Sequence, residues 1–343
     1  MNYTLKVCEI KKETEDTVTL CFKQPGLKKV KYLAGQYLTL IFRINGRRYI
    51  RPYSFSSSPG VDTFLEVTVK RIPNGIVSNH INDRVAIGDS IEVMQPMGDF
   101  IYHDDRAHQV VYLWGVGSGI TPLFSIAKYL LHTRDNVRVS LIYGNRNHES
   151  TIFLKQIEEL SERFSSHFSI SHFHTRPFIS EENPGLVQGR IDQKKANDIL
   201  KNDSALAASA HYICGPAGLK ESVKNALAFF SVPAQNIFTE DFELIKDPQQ
   251  FIDIQTRNIT LKFQSQVYGL EVIKGKTILE AALEADIELP YSCQTGNCST
   301  CKGNVVNGES KMIGLTQVRE DLENKEILLC CAHPLTDNVY IEI

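Results

Sequence analysis

Tyr291-Ser292-Cys293-Gln294-Thr295-Gly296-Asn297-Cys298-Ser299-Thr300-Cys301 is followed 29 residues later by Cys330, in Leu328-Leu329-Cys330-Cys331-Ala332-His333-Pro334. The spacing Cys-x4-Cys-x2-Cys with a distant fourth cysteine is that of plant-type [2Fe–2S] ligation, in which four thiolates hold two irons. Residues 294–297 and 299–300 are mostly small or turn-forming. Such a loop wraps closely enough for backbone N–H groups to reach sulfur, one lever on redox potential. A structural zinc site is the rival reading. Zinc sites of this kind usually show two separated Cys-x2–4-Cys knuckles, whereas here a lone cysteine returns from far away.

Two adjacent cysteines compete for the fourth position. If Cys330 and Cys331 lie on a strand, their side chains point to opposite faces, and only one meets the metal. The local string resembles the ferredoxin pattern of an apolar strand, Cys, any residue, Ala, any residue, Pro. That resemblance selects Cys330 beside Cys293, Cys298 and Cys301, and leaves Cys331 as a packed thiol.

Eight cysteines, five of them crowded into the last 51 positions of a 343-residue chain, favour a metal centre over a disulfide framework. Hydrophobic residues at 42% and charged residues at 22% are ordinary for a globular protein. A net charge of −3 argues against a nucleic-acid binder with a broad basic face. No apolar run approaches the ~18 residues of a membrane span. Met1 to Leu20 alternates charged and apolar residues, which predicts a strand rather than a secretory signal.

Upstream of the cysteines the chain reads as three further segments. Residues 1–104 carry short β-like runs (Leu38–Phe42, Phe64–Val69, Ser90–Val93) between Gly and Pro punctuation, which predicts an antiparallel β-barrel. Residues 105–243 alternate strands (Gln109–Trp114, Arg138–Tyr143, His211–Cys214) with helices (Pro122–His132, Ile152–Phe164, Ala217–Phe230), which predicts a doubly wound α/β layer. Residues 244–258, with Asp247-Pro248-Gln249-Gln250, read as a linker. The last block, 259–343, opens with a hairpin (Ile259–Phe263, Gly269–Ile273). A helix from Thr277 to Asp286 follows, Thr277 and Glu280 forming a capping box.

Arg51-Pro52-Tyr53-Ser54-Phe55-Ser56-Ser57 fits R-x-Y-S-x-x-S, and Gly75-Ile76-Val77-Ser78 fits G-x-x-S. Gly115-Val116-Gly117-Ser118-Gly119-Ile120-Thr121-Pro122 fits G-x-G-x-G-x-T-P, and Cys214-Gly215-Pro216 ends a later strand. Read locally, Thr121 is expected to cap the helix and Pro122 to occupy its first position. With these motifs in this order, the chain resembles the ferredoxin–NADP reductase superfamily, with a C-terminal ferredoxin domain of α+β, β-grasp type. The resemblance implies that Arg51 pairs with the flavin pyrophosphate, Tyr53 packs on the flavin and Ser54 bonds near its N5. Val69, Lys70 and Arg71 would contact it mainly through backbone, and Gly75, Val77 and Ser78 would present a helix N-terminus to the pyrophosphate.

For the nicotinamide cofactor the same resemblance implies Gly115, Gly117, Ser118, Gly119, Thr121 and Pro122 as the phosphate loop. Cys214, Gly215 and Pro216 would lie beside the nicotinamide; a packed cysteine before a tight turn is the alternative. Glu240 and Phe242 fall where the family places an acid and an aromatic near the flavin, Phe242 being otherwise a core residue. Ser54, Cys214 and Glu240 are thus the candidates for the catalytic centre. Arg146 follows a strand at the expected adenosine ribose and tilts the donor from NADH to NADPH, unless it is only a solvated loop arginine. His103, His167, His172 and His174 read as surface or structural residues.

These readings imply an enzyme in which electrons pass from NAD(P)H to FAD, then to [2Fe–2S], then to a protein acceptor, in the cytoplasm. Hydride carries two electrons, the cluster takes one, and FAD handles both. The domain order resembles that of reductase components serving oxygenases (phenylacetyl-CoA epoxygenase among them), desaturases or a hybrid-cluster protein. The rival readings are a reductase for a separate ferredoxin and a non-catalytic redox sensor. No nucleic-acid partner is expected.

Overall fold

The computed structural model describes residues 2–26, 29–104, 108–176, 186–315 and 318–343. The first strands are β1 (Asn2–Thr14), β2 (Thr17–Phe22), β3 (Tyr37–Ile44), β4 (Arg47–Ser54) and β5 (Leu65–Lys70); α1 (Ile76–Arg84) and β6 (Ser90–Met94) follow. They form a six-stranded curled sheet in the order β4-β3-β6-β1-β2-β5. Phe55, one residue past β4, bridges to Val67 on β5, so the two edges of the sheet meet. Closure in this way removes unpaired strand edges. Apolar alternation fills the interior with Leu20, Phe22, Leu65, Val67 and Val69, all fully buried.

Next come β7 (Val110–Val116), α2 (Ile120–Thr133), β8 (Arg138–Asn145), α3 (Leu154–Arg163), β9 (Phe168–His174), β10 (Leu186–Gln188), α4 (Gln193–Leu200), β11 (Ala210–Cys214), α5 (Ala217–Phe229) and β12 (Ile237–Glu240). The sheet is parallel, in the order β10-β9-β8-β7-β11-β12. The apolar run of β7 serves both faces, as expected of a strand covered on two sides. Val111 and Leu113 pack with Leu123 and Ile126 of α2 and Ile157 of α3. Val110, Tyr112 and Trp114 pack with Ala196 and Leu200 of α4 and Val223 of α5.

The barrel and this layer belong to one unit by their contacts, Met1–Leu40 with Tyr53–Asp241. Buried bonds join them. The Ser125 hydroxyl on α2 donates to the Ser57 carbonyl at 2.6 Å, and the Lys128 ammonium meets Asp62 at 2.5 Å with only 9% of its side chain exposed. Asp62 also accepts the Ser58 N–H at 2.6 Å.

The second unit comprises Ile41–Pro52 and Phe242–Ile343. Among the described residues its strands are β13 (Arg257–Phe263), β14 (Gln266–Val272), β15 (Lys302–Asn307), β16 (Ser310–Met312), β17 (Glu326–Leu328), β18 (Ala332–Pro334) and β19 (Val339–Glu342), with the α-helix α6 (Ile278–Glu284). The five-stranded sheet runs β14-β13-β19-β15-β17, and β16 pairs with β18 apart from it. The β13–β19 pair is parallel and its neighbours antiparallel. This is the expected α+β arrangement. Gln264 and Ser265, both at positive φ, make the tight turn between β13 and β14. The capping box holds: Glu280 N–H donates to Thr277 Oγ1 at 3.1 Å, and Thr277 N–H to Glu280 at 2.8 Å.

Two local expectations are corrected, and one segment gains local structure. Helix α2 starts at Ile120 with Gly119 as its N-cap, after a short 3-10 turn over Gly117–Gly119. Thr121 and Pro122 are its second and third residues, and the Thr121 hydroxyl returns to the Ser118 carbonyl at 3.0 Å. The glycine loop tightens into helical geometry earlier than capping preferences suggest. Within the segment read as linker, Pro248–Phe251 forms a 3-10 turn in which the Gln249 N–H donates to the Asp247 carboxylate at 3.0 Å. Cys330 and Cys331 lie in the turn between β17 and β18, not on a strand, so the opposite-faces argument does not apply to them.

Candidate functional site

Five thiols gather in the second unit. Cys293, Cys301, Cys330 and Cys331 are buried and Cys298 is partly exposed. Hydrogen bonding from Cys298 and then Cys330 holds the Cys293 thiol well below its ordinary value. The contact with Cys330 likewise lowers Cys301, while Cys298 and Cys330 are pushed high by sharing protons with their neighbours. Hydrogen-bond contacts thus link Cys298 to Cys293, Cys293 to Cys330 and Cys330 to Cys301. Among the described residues no three His, Cys, Asp or Glu side chains are gathered as ligands of one metal ion.

The loop is shaped for sulfur chemistry. Gln294 and Gly296 both take positive φ. A side chain on Gly296 would strike Leu315, its Cβ falling 2.3 Å from a leucine methyl. The N–H groups of Thr295 and Cys298 point at Cys293 Sγ, at 3.5 and 3.4 Å. Four converging thiols with N–H donors aimed at sulfur fit a two-iron cluster, since packed thiolates need a shared cation and gain from such donors. Cys331 also touches Cys330, but its own thiol donates to the Leu328 carbonyl at 3.4 Å.

In the first segment, Arg51 donates Nη1 to the Ile50 carbonyl at 2.8 Å. Inside the second unit the Ile50 N–H donates to the Tyr291 hydroxyl at 3.1 Å. Ser54 is buried, and beyond it the motif turns inward. Ser56 bonds Thr68 at 2.9 Å and Ser57 bonds Tyr32 at 2.8 Å. The last two serines thus build the barrel. Val69 is fully buried. Lys70 pairs with Asp16 at 3.6 Å, and Arg71 clasps Asp83 with both terminal nitrogens.

Gly75 caps α1 with no side chain to occupy the first N–H groups, the arrangement an anion needs at a helix N-terminus. Val77 is buried. The Ser78 hydroxyl accepts the Ile72 N–H at 3.1 Å and ties down the turn, and a Cβ on Gly75 would fall 2.6 Å from that hydroxyl.

The glycine loop and the Cys-Gly-Pro turn are one construction. Gly115 and Cys214 are register partners at the carboxyl ends of adjacent β7 and β11. The strand order reverses there, which is where open α/β sheets bind ligands. A Cβ on Gly119 would lie 2.2 Å from the Cys214 carbonyl oxygen. Gly117, at φ +56°, faces open space, and its carbonyl accepts the Tyr143 hydroxyl at 3.0 Å. Gly215 sits at φ +156°, and Pro216 caps α5. Burial, then the charge of Glu240, pushes the Cys214 thiol well above its ordinary value, so it is a neutral S–H donor. Glu240 pairs with Cys214 across β11 and β12, and next to it Asp241 forms a buried ion pair with Lys220. Phe242 is 47% exposed and is not a core residue.

Arg146 is exposed just past β8, and its carbonyl accepts the N–H of Arg176, just past β9, at 2.7 Å. Arg176 goes unnoticed in the sequence unless β9 is found; an Arg two residues past a strand at that edge was the available signal. Arg319, a second residue the sequence motifs pass over, donates to the carbonyls of Gly296 and Cys298 in the cysteine loop. Among the histidines, His174 is buried, and His103 packs beside Phe238 at 5.9 Å between ring centroids.

Three family models match in order: an oxidoreductase FAD-binding domain at 4–102, an oxidoreductase NAD-binding domain at 113–225, and a 2Fe-2S iron-sulfur cluster binding domain at 264–335. The ferredoxin reductase component of 3-ketosteroid-9-alpha-monooxygenase from Rhodococcus rhodochrous is 31% identical, over 98% of this chain and 96% of its own. One of the subunits of 1,2-phenylacetyl-CoA epoxidase from Escherichia coli (strain K12) is 29% identical, over 99% of this chain and 97% of its own. In fold, the chain matches phthalate dioxygenase reductase with TM-score 0.69 and 24% identity, over 100% of this chain and 98% of that one. The chain belongs to the ferredoxin–NADP reductase superfamily, in the branch whose FAD, NAD(P) and C-terminal [2Fe–2S] domains share one polypeptide. It is an NAD(P)H-dependent electron-transfer reductase. Among the described residues no helix is long and apolar enough to cross a membrane.

Proposed function

We propose that this reductase feeds the oxygenase component of a multicomponent system. The observation that carries the reading is similarity over nearly the whole chain to the reductase components of a steroid monooxygenase and of the glycine betaine monooxygenase of Pseudomonas aeruginosa, and to a subunit of 1,2-phenylacetyl-CoA epoxidase. Because those substrates differ, the shared part is electron delivery. We assign residues 1–104 to the FAD barrel, 105–243 to the NAD(P) layer, 244–258 to the linker and 259–343 to the ferredoxin domain.

Bound FAD and cluster supply the conversion of a hydride into single electrons. The chain's residues hold them. Arg51 and the α1 N-terminus at Gly75, Val77 and Ser78 bind the pyrophosphate, Tyr53 covers the flavin, and Ser54 donates a hydrogen bond near N5. The backbone of Val69, Lys70 and Arg71 lines the same site. The loop from Gly115 to Pro122 takes the nicotinamide cofactor's phosphates. Cys214, neutral and buried, borders the nicotinamide with Gly215 and Pro216, and Glu240 is the acid beside it. Phe242 offers an exposed ring to the flavin side. Arg146, joined by Arg176, favours the 2′-phosphate of NADPH. Cys293, Cys298, Cys301 and Cys330 ligate the cluster. Eight cysteines without a disulfide among the described residues support a reducing, cytoplasmic location.

The test is NADPH-driven turnover of a purified oxygenase component, with Cys330→Ser as the control. The variant keeps ferricyanide reduction, because that small acceptor meets the flavin directly, and loses oxygenase turnover. Undiminished turnover by the variant overturns the reading. So does a reductase that ignores every oxygenase tried yet reduces a separate soluble ferredoxin.

A further inference from the structure

After β16 the chain returns one arginine to the cysteine loop. The Arg319 side chain is only 13% exposed. One terminal nitrogen donates to the carbonyls of Gly296 and Cys298, the latter at 3.5 Å. The other donates to Ser299 Oγ and Asp321 Oδ2, each at 2.7 Å, and Nε donates to Asp321 Oδ1 at 2.8 Å. The Ser299 hydroxyl closes the ring by donating to Asp321 Oδ2 at 3.0 Å. The planar fork of Arg matches this set of acceptors; a lysine ammonium does not. In a trans peptide the N–H points opposite to the C=O. Anchoring the carbonyls of Gly296 and Cys298 therefore turns the N–H groups of Asn297 and Ser299 away from the guanidinium, into the loop. A guanidinium is cationic in a protein, and these hydrogen bonds seat it against the cysteine loop.

We propose that Arg319 is a positioning residue for the iron–sulfur centre: it fixes the peptide orientation of the Gly296–Ser299 turn and sets a positive charge, partly offset by Asp321, where it favours the reduced cluster. This rests on the reading of Cys293, Cys298, Cys301 and Cys330 as cluster ligands. Reduction adds one electron from the flavin and changes no covalent bond, so the effect is electrostatic. A nearby cation and N–H donors raise the potential, and an anion lowers it.

The experiment is a redox titration of the full-length holoprotein, following the cluster by visible absorption and by the electron paramagnetic resonance of its reduced form. Arg319→Gln lowers the cluster midpoint and leaves the flavin midpoint unchanged. Asp321→Asn moves the cluster midpoint the opposite way. Arg319→Lys keeps the charge but loses the fork; its midpoint falls less than that of Arg319→Gln, while cluster bleaching in excess chelator speeds up several-fold. Opposite signs for the two neutralising variants are what a general loosening of the loop cannot produce. If both shift in the same direction, or neither shifts, the proposal is overturned. Should Arg319→Gln assemble no cluster, the Asp321→Asn and Arg319→Lys results decide it by the same criteria. A wild-type protein that shows no [2Fe–2S] spectrum would overturn the ligand reading underneath it instead.

Discussion

Trp114 donates its indole N–H to Nδ1 of His211 at 3.2 Å, in the interior of the nucleotide layer. Ser209 Oγ lies 2.8 Å from the other ring nitrogen, and Tyr112 stacks on the imidazole at 4.9 Å between centroids. A nitrogen that accepts a hydrogen bond carries no proton, so His211 is neutral.

Acid should weaken this domain. Burial lowers the pKa of His211 from 6.5 to about 3. Burial, with His174 and His148, lowers that of His172 to about 4. Between those values and 6.5 the unfolded chain binds more protons than the folded one. The stability these histidines contribute is therefore present above pH 6.5 and is lost as pH falls toward 3. For His211 the loss is on the order of 4 kcal/mol. Trp114 is the chain's sole tryptophan, so urea unfolding read by its fluorescence at pH 7.5, 6 and 5 checks this. His211→Gln should flatten the pH dependence; unchanged steepness would refute the assignment.

Gly119→Ala and Gly117→Ala should behave differently although two residues apart. At Gly119 a methyl meets the Cys214 backbone oxygen at 2.2 Å. The turn must move, at about 1–3 kcal/mol of stability or more, and KM for NAD(P)H should rise steeply. At Gly117 the space is open, so the cost is only the left-handed backbone, about 1–2 kcal/mol, with a smaller rise in KM. Thermal melts and steady-state kinetics separate the two.

Cys330→Ser should abolish or grossly alter the cluster's visible absorption, and Cys331→Ser should leave it nearly normal. Cys330 has Cys293 and Cys301 within reach, whereas Cys331 spends its thiol on Leu328. The reverse outcome would make Cys331 the ligand.

The reductase should show higher kcat/KM with NADPH than with NADH. Arg146→Ala should cut NADPH efficiency roughly tenfold or more, from the loss of a charge-assisted contact of ~1.5–3 kcal/mol. Arg176→Ala should act in the same direction. An outright preference for NADH would reduce Arg146 to a loop residue.

The motifs were legible in the sequence because each rests on local chemistry. The Cys-x4-Cys-x2-Cys loop and Gly115 to Pro122 fall where short-range spacing and turn residues dictate geometry, and Arg51-Pro52-Tyr53-Ser54 is a contiguous run at the end of β4. The capping box at Thr277 was visible for the same reason. What escaped depends on distance along the chain. Arg319 reaches the cysteine loop from 20 residues beyond Ser299, and nothing in its own neighbours announces that. Arg176 meets Arg146 only because β8 and β9 are adjacent in space. Strand alternation selects between Cys330 and Cys331 on the wrong local geometry, since the pair sits in a turn; the ferredoxin-like pattern of neighbouring residues points to Cys330 without it.

The bonds from α2 to the segment after the flavin motif, Ser125 to Ser57 and Lys128 to Asp62, have a mechanical meaning. Hydride transfer needs its donor and acceptor atoms in near-contact, within about 3–3.5 Å. A rocking joint between flavin and nicotinamide modules would forfeit that alignment. Two buried bonds therefore tie the FAD-binding and NAD-binding domains together through the helix that also begins at the glycine loop. Cofactor arrival and flavin alignment then share a single lever arm, and a loosened tie should slow hydride delivery before it loosens the grip on either cofactor.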